Sequence, residues 1–150
     1  LKFIVMGDGP LKEEVEDYAE EKKVDCQFTG RLEYEKMVGL LCSCDIAVNP
    51  IKKGSAGSII NKVGDYAAAG LAVVNSQENE EYRKIVECYG IGFNTKNDDV
   101  MDFAKKLEFL IVNIEQRKKM GNMNRKLSEN KFNRNNTYKK IIQLILEGEN

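Results

Sequence analysis

The sequence has no histidine, no tryptophan, only two prolines and only four cysteines among its 150 residues. Without histidine there is no His-dependent triad, no His-ligated metal and none of the usual proton shuttle near neutral pH. Cys26, Cys42, Cys44 and Cys88 include no C-x-x-C pair and fall within or beside expected core elements. They read as reduced cytosolic thiols rather than as a disulfide framework or a zinc site. No apolar run approaches the roughly 18 residues a spanning helix needs. No Walker-type G-x-x-x-x-G-K-S/T occurs, and Gly7-Asp8-Gly9 continues without the third glycine of a dinucleotide fingerprint. A formal charge of −1 and a pI near 5.7 argue against nucleic acid as a partner.

What is present is an alternation. Short apolar runs at 2 to 6, 26 to 29, 46 to 49, 72 to 75 and 91 to 93 predict strands. Between and after them, helical patterns cover 11 to 22, 34 to 43, 58 to 69, 79 to 87 and 99 to 112. Strands that are apolar on both faces and separated by helices imply right-handed βαβ units and a parallel sheet, a doubly wound α/β domain. Ligands of such sheets collect at the carboxyl ends of the strands. Pro10 suits the first position of a helix, and Gly9 the sharp exit from the preceding strand. Leu11, Val15 and Tyr18 would form the inner stripe of that helix, with an acidic outer face.

The segment from Ser55 to Ser76 carries the clearest site signal. It reads as a small-residue turn, a helix with a polar stripe, a glycine stop and a buried strand. Ser58 is a good N-cap, so the amides that follow Gly57 would be free to meet an anion. At 3.6 residues per turn Ser58, Asn61, Lys62 and Asp65 share one side of this helix, and Ile59, Ile60, Val63 and Tyr66 largely the other. Asp65 would then stand roughly 10 Å from Ser58, about the reach from a diphosphate to the ribose of the same nucleotide. Spacing alone fits a solvated face with a Lys62–Asp65 contact equally well.

Four motifs in order carry a resemblance. Gly7-Asp8-Gly9-Pro10 follows a strand; Phe28-Thr29-Gly30-Arg31-Leu32 follows the next; then come Leu40-Leu41 with Cys44-Asp45-Ile46-Ala47-Val48-Asn49-Pro50, and finally Asn61 to Val74. Together they resemble the group 1, or family 4, retaining GT-B glycosyltransferases. The resemblance implies a Rossmann-like domain, the donor-binding C-terminal half of a two-domain enzyme. Residues 1 to 150 would form that single domain, with the N-terminal acceptor domain absent and no signal segment before Leu1.

It also implies roles. Gly30, Arg31, Leu32 and Glu33 would hold the nucleotide base. Gly57, Ser58, Ile59, Ile60 and Lys62 would hold the donor diphosphate, and Asp65 the ribose. The first acid of the family's E-x7-E pair falls at Gly57, and the second is Asp65 rather than Glu, so the usual contact to the donor sugar has no side chain here. The implied reaction is transfer of a sugar from a nucleoside-diphosphate sugar to a glycan or lipid-linked hydroxyl, with retention, in cell-surface polysaccharide synthesis. The nucleotide sugar is a substrate; no resident cofactor and no metal is expected. The basic catalytic pair would lie upstream of Leu1, so this chain alone is expected to bind donor without turnover. A non-catalytic nucleotide-sugar module, favoured by Gly57, and a sugar-nucleotide epimerase are the competing readings.

Charge is polarised along the chain. Residues 1 to 35 carry ten acids against five bases, and residues 115 to 140 nine bases against two acids. A plain solvated face is the default reading of this basic tail, with peripheral contact with anionic lipid at the inner face of the plasma membrane as the alternative. Phe132, Tyr138, Ile141, Ile142, Leu144 and Ile145 predict an apolar stripe on a final helix, exposed or packed on a second copy. Glu147 to Asn150 read as a polar fraying end.

Overall fold

The structure, a computed structural model, describes residues 1–55 and 57–147. Ala56 of the small-residue turn and Gly148 to Asn150 of the expected fraying end lie outside the described residues. The order of elements is β1 (Phe3–Val5), α1 (Lys12–Glu21), β2 (Cys26–Phe28), α2 (Tyr34–Leu41), β3 (Ile46–Asn49), α3 (Lys62–Ala68), β4 (Ala72–Asn75), α4 (Glu80–Cys88), β5 (Gly92–Asn94), α5 (Val100–Val112) and α6 (Ile114–Leu127). A π-helical turn over Ser128–Phe132 and α7 (Arg134–Glu147) complete it. This is the expected α/β alternation, with every strand pair parallel. Hydrogen bonding divides the strands into two sheets, β1–β2 and β3–β4–β5, where a single sheet was expected. The chain falls into two compact units that part after Leu41.

In the first unit, β1 and β2 pair in the register Phe3 with Cys26 to Val5 with Phe28. The helix starts two residues later than Pro10 suggests. The amide of Lys12 donates to the Gly9 carbonyl at 3.1 Å, so Pro10 and Leu11 form a turn before α1. The apolar side of α1 is open to solvent, with Leu11, Val15 and Tyr18 all exposed.

The second unit is built on β4, whose four residues are all buried. Ala72 and Val74, on one side of the strand, pack with Leu110 of α5. A second cluster joins Val63 of α3, Tyr82 and Val86 of α4, Ile91 and Leu127. Two glycines set the helix-to-strand turns. Gly70 at φ +70° lets the Leu71 amide reach back to the Tyr66 carbonyl at 3.1 Å, and Gly90 at φ +59° does the same for Ile91 and Val86. Both are left-handed helix stops that occupy otherwise orphaned carbonyls.

Two expectations need correction here. Cys42 and Cys88 are exposed, because they stand at helix ends rather than on inner faces; Cys26 and Cys44 are half-buried, and all four are free thiols. Burial, with Asp25 beside Cys26 and Asp45 beside Cys44, pushes those two thiols up. Phe132 belongs to the π-helical turn and packs against the Val63–Tyr82 cluster, not to the stripe of α7. The rest of that stripe, Tyr138, Ile141, Ile142, Leu144 and Ile145, is exposed. No helix among the described residues is long and apolar enough to cross a membrane.

Candidate functional site

Each strand of the three-stranded sheet ends on an asparagine, and register sets Asn49 opposite Asn75 and Asn75 opposite Asn94. Their amides connect across the sheet. Asn49 Nδ2 donates to Asn75 Oδ1 at 2.8 Å, and Asn75 Nδ2 donates to Asn94 Oδ1 at 2.9 Å. The Gln77 amide also donates to Asn75 Oδ1, at 3.1 Å, and the Gln77 carbonyl accepts from Asn75 Nδ2 at 3.3 Å. Asn94 continues the chain into α4 by donating to the Arg83 carbonyl and to Glu87 Oε1. Asn49, Asn75 and Gln77 are buried. Buried amides persist when their hydrogen bonds are made, and here the bonds among Asn49, Asn75, Asn94 and Gln77 fix the loop that follows β4, while the buried Gln77 Oε1 has no partner among the described residues.

That loop in turn holds the segment singled out by the sequence. Gln77 Nε2 donates to the Ser58 carbonyl at 2.6 Å, and Asn79 Nδ2 donates to the Gly57 carbonyl at 3.1 Å. The expected helix from Ser58 therefore does not form. The Ser58 carbonyl, which would accept the first helical amide, is taken by a side chain of another loop, and α3 begins at Lys62 with Asn61, not Ser58, in the cap position. Ile59 and Ile60 anchor the segment by packing on the Val63–Tyr82 cluster, as their predicted apolar side requires. Gly57 and Ser58 stay exposed. Among the described residues, no partner is found for the amides of Gly57, Ser58, Ile59, Ile60 and Lys62.

Of the predicted polar stripe, Lys62 and Asp65 lie three apart on α3, while Ser58 and Asn61 precede it. Lys62 is exposed and Asp65 half-buried. Burial raises the Tyr66 phenol above its ordinary value, and the neighbouring Asp65 charge adds to that. Beside Gly57 lies a cavity of about 250 Å³ lined by Ile51, Lys52, Gly54, Gly57, Glu78 and Asn79. A second cavity of about 370 Å³ shares Ile51 and Lys52 and extends past Ser76 to Asn97, Val100 and Phe103. Both open where β3, β4 and β5 end, which is where a parallel sheet gathers ligands.

The other predicted residues belong to the first unit. Gly30, at φ +65°, turns the chain out of β2, and its carbonyl accepts the Gly7 amide at 2.9 Å. The Gly7–Pro10 turn and the Gly30–Glu33 loop are thus joined by a bridge. Arg31 and Glu33 are exposed and Leu32 is half-buried. The Glu33 carbonyl accepts from Met37 as α2 begins.

Residues 1–127 match the family described as glycosyl transferases, group 1. The chain belongs to this family. Among solved structures, it is similar to HepE of Anabaena, crystallised in complex with UDP, with 14% identity and a TM-score of 0.83; the match covers 98% of this chain and 41% of that one. The catalytic domain of the cholesterol-α-glucosyltransferase of Helicobacter pylori is similar at 16% identity and a TM-score of 0.64, over 83% of this chain and 77% of that one. No curated protein sequence matches. The chain therefore spans about two fifths of the length of HepE. These likenesses establish the fold as that of the GT-B Rossmann-like domains.

Within this group 1 glycosyltransferase domain, the segment from Gln77 to Arg83 reads from sequence as helix-start chemistry by default, with a loop framing a sugar pocket as the alternative; what sequence reasoning missed is the asparagine network that holds Gln77. The signal was in the chain: three apolar strand runs end alike on asparagine, at Ala47-Val48-Asn49, Val73-Val74-Asn75 and Gly92-Phe93-Asn94. A repeated polar residue at the buried end of neighbouring strands marks a cross-strand network.

Proposed function

We propose that this chain is the donor-binding part of a retaining glycosyltransferase, with the diphosphate of a nucleoside-diphosphate sugar meeting the segment from Gly57 to Lys62. The observation that carries the reading is a run of amides without a partner among the described residues, on a segment anchored by Ile59 and Ile60 and tied to Gln77 and Asn79. When the sugar leaves, negative charge grows on the diphosphate. Donors already fixed in place stabilise that charge without reorganising. Lys62 adds a cation at the same segment, and Asp65, one turn along α3, accepts from the ribose hydroxyls. In the first unit, the Gly30–Glu33 loop is the proposed contact for the base.

The acceptor hydroxyl and the catalytic basic pair belong, on this reading, to an N-terminal acceptor domain, so this chain by itself binds donor without transferring it. A glycan or lipid-linked acceptor, cell-surface polysaccharide synthesis, a cytoplasmic place at the inner membrane face and pairing through α7 complete the proposal. The exposed apolar residues of α7 support the last. Gly57, without a side chain where the family carries an acid, favours one second reading, a module that binds nucleotide sugar without transfer.

Calorimetric titration of the intact protein with UDP, GDP, ADP and their sugars tests the proposal. One nucleotide should bind, and Asp65→Ala should weaken it about tenfold, the loss of a charged hydrogen bond worth about 1.4 kcal/mol. Absence of binding by the whole panel would refute donor binding. Binding without sugar transfer by the intact protein would leave the second reading standing.

A further inference from the structure

The cavity of about 250 Å³ beside Gly57 is not used by the diphosphate segment's own side chains. A Cβ built on Gly57 would meet nothing within 4 Å, so the wall is open at that point. The lining also includes Glu78 and Asn79. The two segments are tied together: Asn79 Nδ2 donates to the Gly57 carbonyl and Gln77 Nε2 to the Ser58 carbonyl, from the residues on either side of Glu78. Gln77 is fully buried, and Asn79 also caps α4 by accepting from the Tyr82 amide at 2.9 Å. The backbone on both sides of Glu78 is therefore fixed relative to the proposed diphosphate site.

The cavity is smaller than the roughly 300–1,000 Å³ of a drug-sized ligand site and suits a single monosaccharide ring. It begins at the first residue of the diphosphate segment, where the sugar attached to that diphosphate must lie. Its lining offers one anionic acceptor, Glu78, and one cation, Lys52. An ionised carboxylate accepts two hydrogen bonds side by side, the pattern that vicinal hydroxyls donate.

We propose that Glu78 is a specificity-determining residue that reads the hydroxyls of the donor sugar, in the space that Gly57 leaves open. The inference rests on the donor-binding reading above. A site built to accept from a hydroxyl rejects sugars that lack it or direct it elsewhere.

The test compares each nucleotide with its sugar nucleotide on the intact protein and its Glu78→Gln and Glu78→Ala variants, using UDP with UDP-glucose and UDP-galactose, and GDP with GDP-mannose. Wild-type protein should bind one sugar nucleotide more tightly than the bare diphosphate. Glu78→Gln should lose about tenfold for that sugar nucleotide and less than twofold for the bare nucleotide, with Glu78→Ala losing at least as much. Equal losses on both ligands, or no loss, would overturn the role of Glu78 and leave nucleotide binding intact. So would a wild-type protein that gains nothing from the sugar. Failure of every nucleotide to bind would overturn both readings.

Discussion

Replacing Asn75 by Leu keeps the volume of the side chain and removes the centre of the polar network that supports the candidate site. Four hydrogen bonds go with it: from Asn49 Nδ2 at 2.8 Å, from the Gln77 amide at 3.1 Å, to Asn94 Oδ1 at 2.9 Å and to the Gln77 carbonyl at 3.3 Å. Asn49 is 2% exposed and Gln77 fully buried, so water cannot replace the lost partners of the Asn49 amide and the Gln77 N–H. Each stranded donor costs about 1–3 kcal/mol, and together they should destabilise the fold by about 4 kcal/mol. That is a large part of the roughly 5–15 kcal/mol that holds a domain together. The assay is urea unfolding of Asn75→Leu, Asn49→Leu and the double variant. Removing both members of the 2.8 Å pair leaves fewer orphans than removing Asn75 alone, because no Asn49 amide remains to be stranded, so the double variant should be more stable than the sum of the single losses by at least about 1 kcal/mol. A single-variant loss below about 1 kcal/mol, or additivity within about 0.3 kcal/mol, would refute the claim that these amides depend on one another.

Asn79 has two duties that one substitution separates. Asn79→Asp keeps the oxygen that accepts the Tyr82 amide and removes the nitrogen that donates to Gly57, so unfolding should change by less than about 0.5 kcal/mol while nucleotide affinity falls several-fold. A variant that melts early, or binds as wild type, contradicts that division. Asp102 accepts from Lys106 Nζ at 2.7 Å and from the Lys96 amide at 2.9 Å, and these bonds hold its carboxyl below the ordinary value. A lowered folded pKa stabilises the protein above the unfolded value of about 3.9, and the effect is lost as pH falls through the folded value. Urea midpoints of wild type and Asp102→Asn should therefore differ at about pH 6 and converge as the pH drops below about 4; a gap that stays constant or widens on acidification reverses the sign and rejects the argument.

Much of this was legible in the chain because burial on both faces leaves a plain record. β4 is apolar from Ala72 to Val74 and fully buried, and its limits, like those of β3, agree with the pattern. Gly70 marks its helix stop because a left-handed residue is needed there. What was not legible was competition between distant groups. Ser58 has the chemistry of a helix cap, and local preference alone starts a helix at it. Its carbonyl is claimed by Gln77, nineteen residues later, and the helix starts at Lys62 instead. Pro10 failed more mildly, since a proline fits a turn as readily as a first helical position. The roles given to Gly30–Glu33, Gly57–Lys62 and Asp65 come from resemblance; the structure adds their surroundings and leaves the roles to the titrations.

Losing the helix at Ser58 changes the physical basis of anion binding. A long helix would meet a phosphate with a macrodipole and a row of aligned amides. A seven-residue α3 offers less of the first, so affinity must rest more on individual amides held at fixed positions. Fixing an exposed loop costs conformational entropy, and here the cost is met by contacts behind it: Ile59 and Ile60 in the core, and carbonyls bound to Gln77 and Asn79. The backbone of Gln77 is itself placed by Asn75, at the end of the most buried strand. Preorganisation at the candidate site and stability of the sheet therefore depend on the same amides. A substitution that weakens the asparagine network should lower donor affinity in proportion to the order lost at Gln77, even though none of its members lines the small cavity beside Gly57.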